Sequence, residues 1–516
     1  MKVVFRTDAS QDIGSGHVMR CLTLAHALKG QGVDVLFICR THLGNLITLI
    51  RKEGFTCSEL PVQDGWLLDP EEHATWLGAP AELDAAHTAA SIASSGIADW
   101  LIVDHYGVGL EWEQSIRPVC RNLMVIDDLA NRDHDCDLLL DQNLVANMLE
   151  RYCNRVGTEC VKLLGTRYAL LQSTYSSLHR QARIRSSEVR NVFAYFGGAD
   201  TANLTGRIIQ AFVARAKPDI SLDVVVAPSS PYWNEIQQQV EGDSRIKVHG
   251  FVPSLAFLLS KADVAFGAGG ATSWERCCLG LPAYVITLAD NQLAVTAELA
   301  QQGMIRYVGH SSTVSEVDLC EAMSEALSGQ YLSEMSMRAM KHVDGLGAIR
   351  VLGRLLASPE MSFHARLASQ ADEYLLLDWA NDAEVRKQSF STSRIDEKIH
   401  GQWLRQRLLL KESCVFYIVE TSFGLPVAPV RFEKHENHWE LHYLIEPCLR
   451  SCGVGMLILK TALEAFRNVV SGEIVISARV KMVNLASRRI FEKLGFSGSV
   501  GREEVAYCLA LCGGES

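Results

Sequence analysis

No stretch of this chain is an uninterrupted apolar run long enough to span a bilayer. Its first residues, Met1-Lys2-Val3-Val4-Phe5, enter a strand without the zones of a secretory leader. There is no internal repeat and no low-complexity tract. Positive charge is in deficit: 49 Lys and Arg stand against 60 Asp and Glu, for a net charge of −11. That balance argues against nucleic acid or an anionic membrane as the main partner. The 15 cysteines are odd in number and lack the spacing of a disulfide scaffold. Cys277-Cys278 and the Cys448/Cys452 pair lack the companions a zinc site needs. His435, His438 and His442 straddle a polar turn and the strand after it, which favours a structural reading over a metal set. The expectation is a cytoplasmic protein with free, mostly buried thiols, no metal, no nucleic acid and no membrane partner. Nothing in the sequence sets an oligomeric state.

What is present is a long soluble chain. With 516 residues, 48% hydrophobic and 21% charged, it should form two to four domains. Apolar runs without strict alternation (33–38, 101–104, 123–128, 138–141) predict a parallel sheet covered on both faces. Several of these runs end in Asp, at the sheet edge where α/β folds bind ligands. The polar stretch from His179 to Arg190 reads as a link. A second alternating set runs from Val192 to about Leu356. Ala357-Ser358-Pro359-Glu360-Met361-Ser362 reads as a linker, because Pro359 fits neither a helix nor a strand interior. The last segment has helices first, then strands, then a Gly-rich turn before a long helix. The expected divisions are residues 1–180, 181–357 and 363–512. The expected fold class is α/β, two Rossmann-like lobes in the two-lobed GT-B manner, plus a C-terminal α+β domain.

The most informative stretch is Arg6-Thr7-Asp8-Ala9-Ser10 followed by Ile13-Gly14-Ser15-Gly16-His17-Val18-Met19-Arg20-Cys21. It joins a strand to an amphipathic helix through a glycine-bearing loop. Free amides and the positive end of the helix dipole make such a junction an anion site. A histidine where the helix begins is unusual. The dipole disfavours imidazolium there, so His17 should stay neutral and take a proton. The string resembles the opening of the UDP-sugar hydrolases of pseudaminic acid biosynthesis. Those enzymes act on UDP-2,4-diacetamido-2,4,6-trideoxy-β-L-altropyranose. The resemblance implies that His17 is the catalytic base and that Gly14, Ser15 and Gly16 meet substrate. Arg6, Asp8, Asp104 and Tyr106 are candidates to contact sugar or to orient His17.

Three motifs mark a nucleotide site in the second set. Phe196-Gly197-Gly198-Ala199-Asp200, with Asn203, follows its first strand, and glycines there allow close backbone approach to a phosphate. Gly250-Phe251-Val252 comes next. Ala268-Gly269-Gly270-Ala271-Thr272-Ser273-Trp274-Glu275 then runs from a strand into a helix. Loop amides and Thr272 suit a diphosphate, and Glu275 suits two ribose hydroxyls. The set resembles the UDP site of GT-B enzymes, in which the Gly-Phe-Val segment lies against uracil. The resemblance also places Asn291 near substrate, beside Gln292.

The C-terminal segment resembles the GNAT acetyltransferases. Arg450-Ser451-Cys452-Gly453-Val454-Gly455 follows a strand and opens the helix Met456–Phe466, presenting amides to the pyrophosphate of acetyl-CoA. Asn484, Ser487 and Phe491-Glu492-Lys493-Leu494-Gly495-Phe496 complete the pattern. The coenzyme-binding candidates are Arg450, Gly453, Gly455 and Asn484, with acetyl-CoA as co-substrate. Many relatives carry Tyr at the Phe491 position as the acid toward the thiolate, a role Phe lacks. His442 and Tyr443 are candidates for the base toward the amine. Together the segments imply a bifunctional enzyme: a UDP-sugar hydrolase joined to the N-acetyltransferase of the preceding 4-amino-sugar step. Two readings stay open beside it, a UDP-sugar-dependent glycosyltransferase and a sugar-nucleotide-binding regulator with an inactive GNAT domain.

Overall fold

A computed structural model of the chain describes every residue except Pro70, Ser95, Ala199, Phe251 and 513–516. The chain divides into two compact units, Met1–Ala348 and Ile349–Ser516. In the first, β1 (Lys2–Thr7), β2 (Asp34–Arg40), β3 (Thr56–Leu60), β4 (Ala98–Asp104), β5 (Cys120–Ile126), β6 (Leu138–Asp141) and β7 (Val161–Leu164) form one sheet, ordered β3-β2-β1-β4-β5-β6-β7. Every ladder in it is parallel. Val3, Val4 and Phe5 are wholly buried, as strands covered on both faces require. Helix α1 (Gly16–Lys29) follows β1 and buries Val18, Cys21, Leu22, Ala25 and Leu28. The strand order reverses between β1 and β4, and their register pairs Thr7 with Asp104. The crevice beyond these strand ends is the switch point where such sheets take ligands.

The second sheet of this unit repeats the plan. It contains β8 (Asn191–Tyr195), β9 (Ser221–Val225), β10 (Ile246–His249), β11 (Val264–Ala268), β12 (Ala283–Thr287) and β13 (Ile305–His310), ordered β10-β9-β8-β11-β12-β13 and parallel. Helices α2 (Leu204–Arg215), α3 (Thr272–Cys278) and α4 (Leu293–Gln301) pack on it. Its switch point falls between β8 and β11, where the loops carrying Gly197-Gly198 and Gly269-Gly270 emerge. The polar link before β8 is more than a spacer. Arg185 is 1% exposed. Its guanidinium donates to the carbonyls of Ala262, Leu259 and Leu279, which fixes the segment to this lobe.

The boundary between units falls within α5 (Gly347–Leu356), ahead of the expected linker. From Ile349 onward this helix belongs with the second unit. There is no room for a Cβ at Gly353 against Leu425, and Arg354 Nη1 donates to the Arg450 carbonyl at 3.1 Å. The second unit is α+β. Its strands are β14 (Phe363–Leu367), β15 (Cys414–Thr421), β16 (Pro426–Lys434), β17 (Trp439–Tyr443), β18 (Glu473–Lys481), β19 (Ser497–Val500) and β20 (Glu504–Cys512), ordered β14-β15-β16-β17-β18-β20-β19. All neighbours are antiparallel except β17 and β18. Those two run parallel and pair only at Trp439–Ile476 and Glu440–Ser477, after which they part. Helix α6 (Gly455–Arg467) opens beside the parting, and α7 (Leu485–Lys493) follows β18. The fold class is therefore the expected one: two Rossmann-like sheets, then a mixed α+β unit. Among the described residues no helix is long and apolar enough to cross a membrane.

Candidate functional site

The loop after β1 is shaped by its own backbone. Ser10 Oγ accepts from the amides of Asp12 and Ile13, and the Gly14 amide donates to the Ser10 carbonyl. Gly14 closes the turn at φ +81°, a conformation that favours glycine. Gly14, Ser15 and Gly16 are exposed. α1 has no side-chain cap and no acidic residue in its first turn, so its leading amides face the crevice.

His17 is almost buried at the start of α1, and its Nδ1 lies 2.6 Å from Asp104 Oδ1 at the end of β4. A carboxylate at Nδ1 fixes that nitrogen as the proton-bearing one and leaves Nε2 as the acceptor. Asp104 also takes two bonds from Arg20, Nε to Oδ2 and Nη2 to Oδ1, each 2.6 Å. Arg20 Nη1 reaches Asp128 at 2.5 Å, and the Tyr106 hydroxyl donates to the same Asp128 oxygen at 2.9 Å. Burial alone would raise the Asp104 carboxyl, but Arg20 and then His17 hold it well below the usual carboxylate range. Tyr106 lies edge-on to His17, with ring centroids 4.5 Å apart, and Trp76 and His73 extend this aromatic wall. The structure thus joins His17, Asp104 and Tyr106. The sequence reading missed Arg20, Asp128, Trp76 and His73. Two signals were available: Arg20 sits three residues after His17, on the same helix face, and Asp128 ends an apolar run as Asp104 does.

Arg6 and Asp8, the other candidates to contact sugar or to orient His17, are partnered within the lobe. Both side chains are wholly out of solvent. Arg6 pairs with Asp8 at 2.8 Å and with Asp84 at 2.7 Å. Asp84 also pairs with Arg40 and accepts from the Trp112 indole at 3.0 Å. Asp8 accepts from the Arg40 amide and faces His105. A charge inside a two-sided strand needs a buried counter-charge, and these residues supply it. The network lies beneath the loop and is not presented to it.

In the second lobe, Gly197 adopts φ +93° with open space where a Cβ would stand, and Gly198 is exposed. Asn203 caps α2: its side chain accepts from the Gly206 amide at 3.2 Å. That assigns its carbonyl oxygen to the helix rather than to a ligand. Phe251 lies outside the described residues. Gly269 is pressed against Thr296 and Gln292, and Gly270 is in ordinary contact with Gln292, so the glycine loop and the 288–292 loop adjoin. Gln292 Oε1 accepts from the Leu288 amide, whereas Asn291 is exposed. Thr272 begins α3 and Glu275 follows one turn in. Glu275 Oε2 is out of solvent without a hydrogen-bond partner. Burial pushes this carboxyl up to about 7, against a smaller opposing effect of Tyr175. A cavity of about 580 Å³ is lined by Asn147, Glu150 and Arg151 from the first lobe and by Ala294, Ala297 and Glu298 of α4 from the second.

In the second unit the turn before α6 carries Ser451 at φ +61° and Gly453 at φ +78°, with open space at Gly453. Gly455 has no such room, since a Cβ there meets Ile490 and Ile445. α6 lacks both a side-chain cap and a first-turn acid, leaving its amides free for an anion. The Arg450 side chain braces the turn, donating to Asp382 at 2.7 Å and to the Ile445 carbonyl. Asn484 caps α7 by accepting from the Ser487 amide. Phe491 is buried, stacked on Tyr507 and edge-on to Tyr443. Against β15, β16 and β17 is a cavity of about 430 Å³ lined by Arg386, Trp403, Phe416, Arg431, His442 and Tyr443 among others. No carboxylate is among its described lining residues. Burial, and then the charge of Arg431, lowers His442, so its imidazole is neutral near pH 7. Burial raises the Tyr443 hydroxyl to about 12, and it donates to Ser487. His435 and His442 both point their Nε2 toward Glu440.

A profile of the acetyltransferase (GNAT) domain matches residues 365–497. The chain is 25% identical over 303 residues to the UDP-2,4-diacetamido-2,4,6-trideoxy-beta-L-altropyranose hydrolase of Campylobacter jejuni, covering 59% of this chain and 97% of that protein. It is 23% identical over 299 residues to an uncharacterized protein of Methanocaldococcus jannaschii, covering 57% of this chain. The match spans 56% of that archaeal protein's length. Among solved structures, Acinetobacter baumannii MurG aligns with 69% of this chain and 99% of its own at 17% identity and a TM-score of 0.48. The chain therefore joins a region homologous to a UDP-sugar hydrolase to a C-terminal GNAT acetyltransferase domain.

Proposed function

We propose that the first unit hydrolyses a UDP-linked 2,4-diacetamido-2,4,6-trideoxy sugar. The observation that carries this reading is the 2.6 Å contact between His17 Nδ1 and Asp104, beside an exposed glycine loop at a sheet switch point. His17 Nε2 accepts a proton from water as the water oxygen bonds to the anomeric carbon. The C–O bond to the diphosphate breaks, its electron pair leaves with UDP, and the sugar inverts. Base catalysis of this kind contributes about 10²–10⁴-fold. Amides of the Gly269–Thr272 loop stabilise the departing diphosphate. Glu275, whose Oε2 has no protein partner, takes the ribose hydroxyls. Tyr106, Gly14, Ser15, Gly16, Gly197, Gly198, Gln292 and Asn291 complete the substrate surface, while the buried Asp104 holds His17 from behind.

The GNAT unit then performs the preceding step, moving an acetyl group from acetyl-CoA to the 4-amino group of the same sugar nucleotide. Amides of the 451–456 turn hold the coenzyme pyrophosphate, and the parted β17 and β18 leave ladder groups for its arm. His442, neutral and on the cavity wall, takes the proton released by the amine. The functional parts are then residues 1–180, residues 181–348 and the GNAT unit from Ile349 onward.

One incubation tests both halves. UDP-4-amino-4,6-dideoxy-2-acetamido sugar is supplied in ¹⁸O-water, with and without acetyl-CoA, and followed by NMR and mass spectrometry. The reading predicts N-acetylation only with acetyl-CoA, followed by free sugar labelled at its anomeric hydroxyl and unlabelled UDP. Label in UDP, or no free sugar, contradicts it.

A further inference from the structure

We propose that Arg20 is a positioning residue for His17, and that it sets the pH at which His17 works through the two carboxylates it clamps. The proposal deepens the hydrolase reading and rests on it for its kinetic arm. Four donors converge on Asp104: His17 Nδ1 and Arg20 Nη2 on Oδ1, and Arg20 Nε and the Cys21 thiol on Oδ2. Arg20 Nη2 comes within 3.4 Å of His17 Nδ1, a contact between two donors sharing one acceptor. The third guanidinium arm ties this pair to Asp128, which Tyr106 and Asn143 also hold. A planar fork is what fixes a carboxylate in one rotation, and lysine lacks it.

The arrangement has two consequences. The fork stops Asp104 from turning, so the His17 ring cannot swing away from the crevice. The guanidinium charge also offsets Asp104 and Asp128, so His17 does not face two uncompensated anions. The groups facing His17 are Asp104 from β4, Arg20 from its own helix, and Tyr106 and His73 across the aromatic wall. Cys21 approaches Asp104 at 3.5 Å. Among these and Asp128, Arg20 is the permanent cation.

The test compares wild type, Arg20→Gln, Arg20→Lys and Arg20→Gln/Asp128→Asn in the full-length protein. The first readout is the pH profile of kcat/KM for UDP-sugar hydrolysis. The second is titration of the His17 ring by histidine-labelled NMR without substrate. Arg20→Gln should move the acid limb, and the ring midpoint, up by about one pH unit. Its kcat should fall by at least about tenfold. Arg20→Lys should keep the midpoint but lose rate. The double variant, with one anion fewer, should bring the midpoint back toward wild type. An unchanged His17 midpoint in a folded Arg20→Gln protein overturns the proposal, even if its melting temperature drops. A shifted midpoint in a protein whose wild type hydrolyses nothing supports the proposal and rejects the hydrolase reading instead.

Discussion

Glu275 gives the sharpest quantitative prediction, because its carboxyl has been left with an unmet need. Burial holds it at about 7 in the fold, against 4.5 for the free side chain. The fold therefore favours the protonated form. Stability from this group is full below the unfolded value and is lost as pH rises through about 7. A gap of this size corresponds to about 3 kcal/mol. A bound ribose needs the opposite form, a carboxylate accepting two hydroxyl protons. Affinity should then scale with the ionised fraction, which rises from about one tenth at pH 6 to about nine tenths at pH 8. The Kd of a UDP-sugar should accordingly tighten about tenfold over that interval. A UDP-sugar is the right probe for calorimetry because its diphosphate diester keeps a constant charge there, unlike UDP. Glu275→Gln should abolish the pH dependence, bind more weakly at pH 8, and melt at a higher temperature than wild type at that pH. A wild-type Kd that is flat from pH 6 to 8 refutes the assignment of Glu275 to the ribose.

Other expectations follow from the same geometry. Asp84→Asn leaves the buried Arg6 and Arg40 guanidinium groups with Asp8, paired to Arg6, as their buried carboxylate, one positive charge in excess, so thermal or urea unfolding should register a loss of about 3–5 kcal/mol. Asn203→Ala removes a helix cap and should cost about 1 kcal/mol of stability, whereas Asn203→Gly, which tolerates the left-handed backbone at φ +50°, should cost only tenths. Neither Asn203 variant should change kcat by more than about twofold. A large kcat loss in either one would return Asn203 to the substrate.

The sequence made local features readable and left long-range ones hidden. The loop from Ile13 to His17, the glycine run before Thr272 and the turn from Arg450 to Gly455 were visible because each is one contiguous strand-to-helix junction. Asp104 was visible because it ends an apolar run. Arg6 and Asp8 are candidates to contact sugar or to orient His17 by their place at a strand end, yet partners at Asp84, Arg40 and His105 hold them inside the lobe. Those partners lie far along the chain, and only the parallel sheet and its crossover helices bring them together. The clamp of Arg20 on Asp104 and Asp128 was hidden for the same reason. The link before β8 looked like a spacer because its residues are polar, but the Arg185 guanidinium spends its donors on backbone carbonyls of the lobe it enters. In the second unit, Phe491 departs from the expected tyrosine, and the fold uses the ring for packing against Tyr507 and Tyr443.

In the proposed reaction His17, held by Asp104, activates the water that cleaves the sugar from UDP. Its most direct test is the single-turnover rate of His17→Ala against wild type, with UDP-sugar affinity measured in parallel. The rate should fall by about 10²–10⁴-fold with affinity nearly unchanged. A variant that turns over within about threefold of wild type would contradict it.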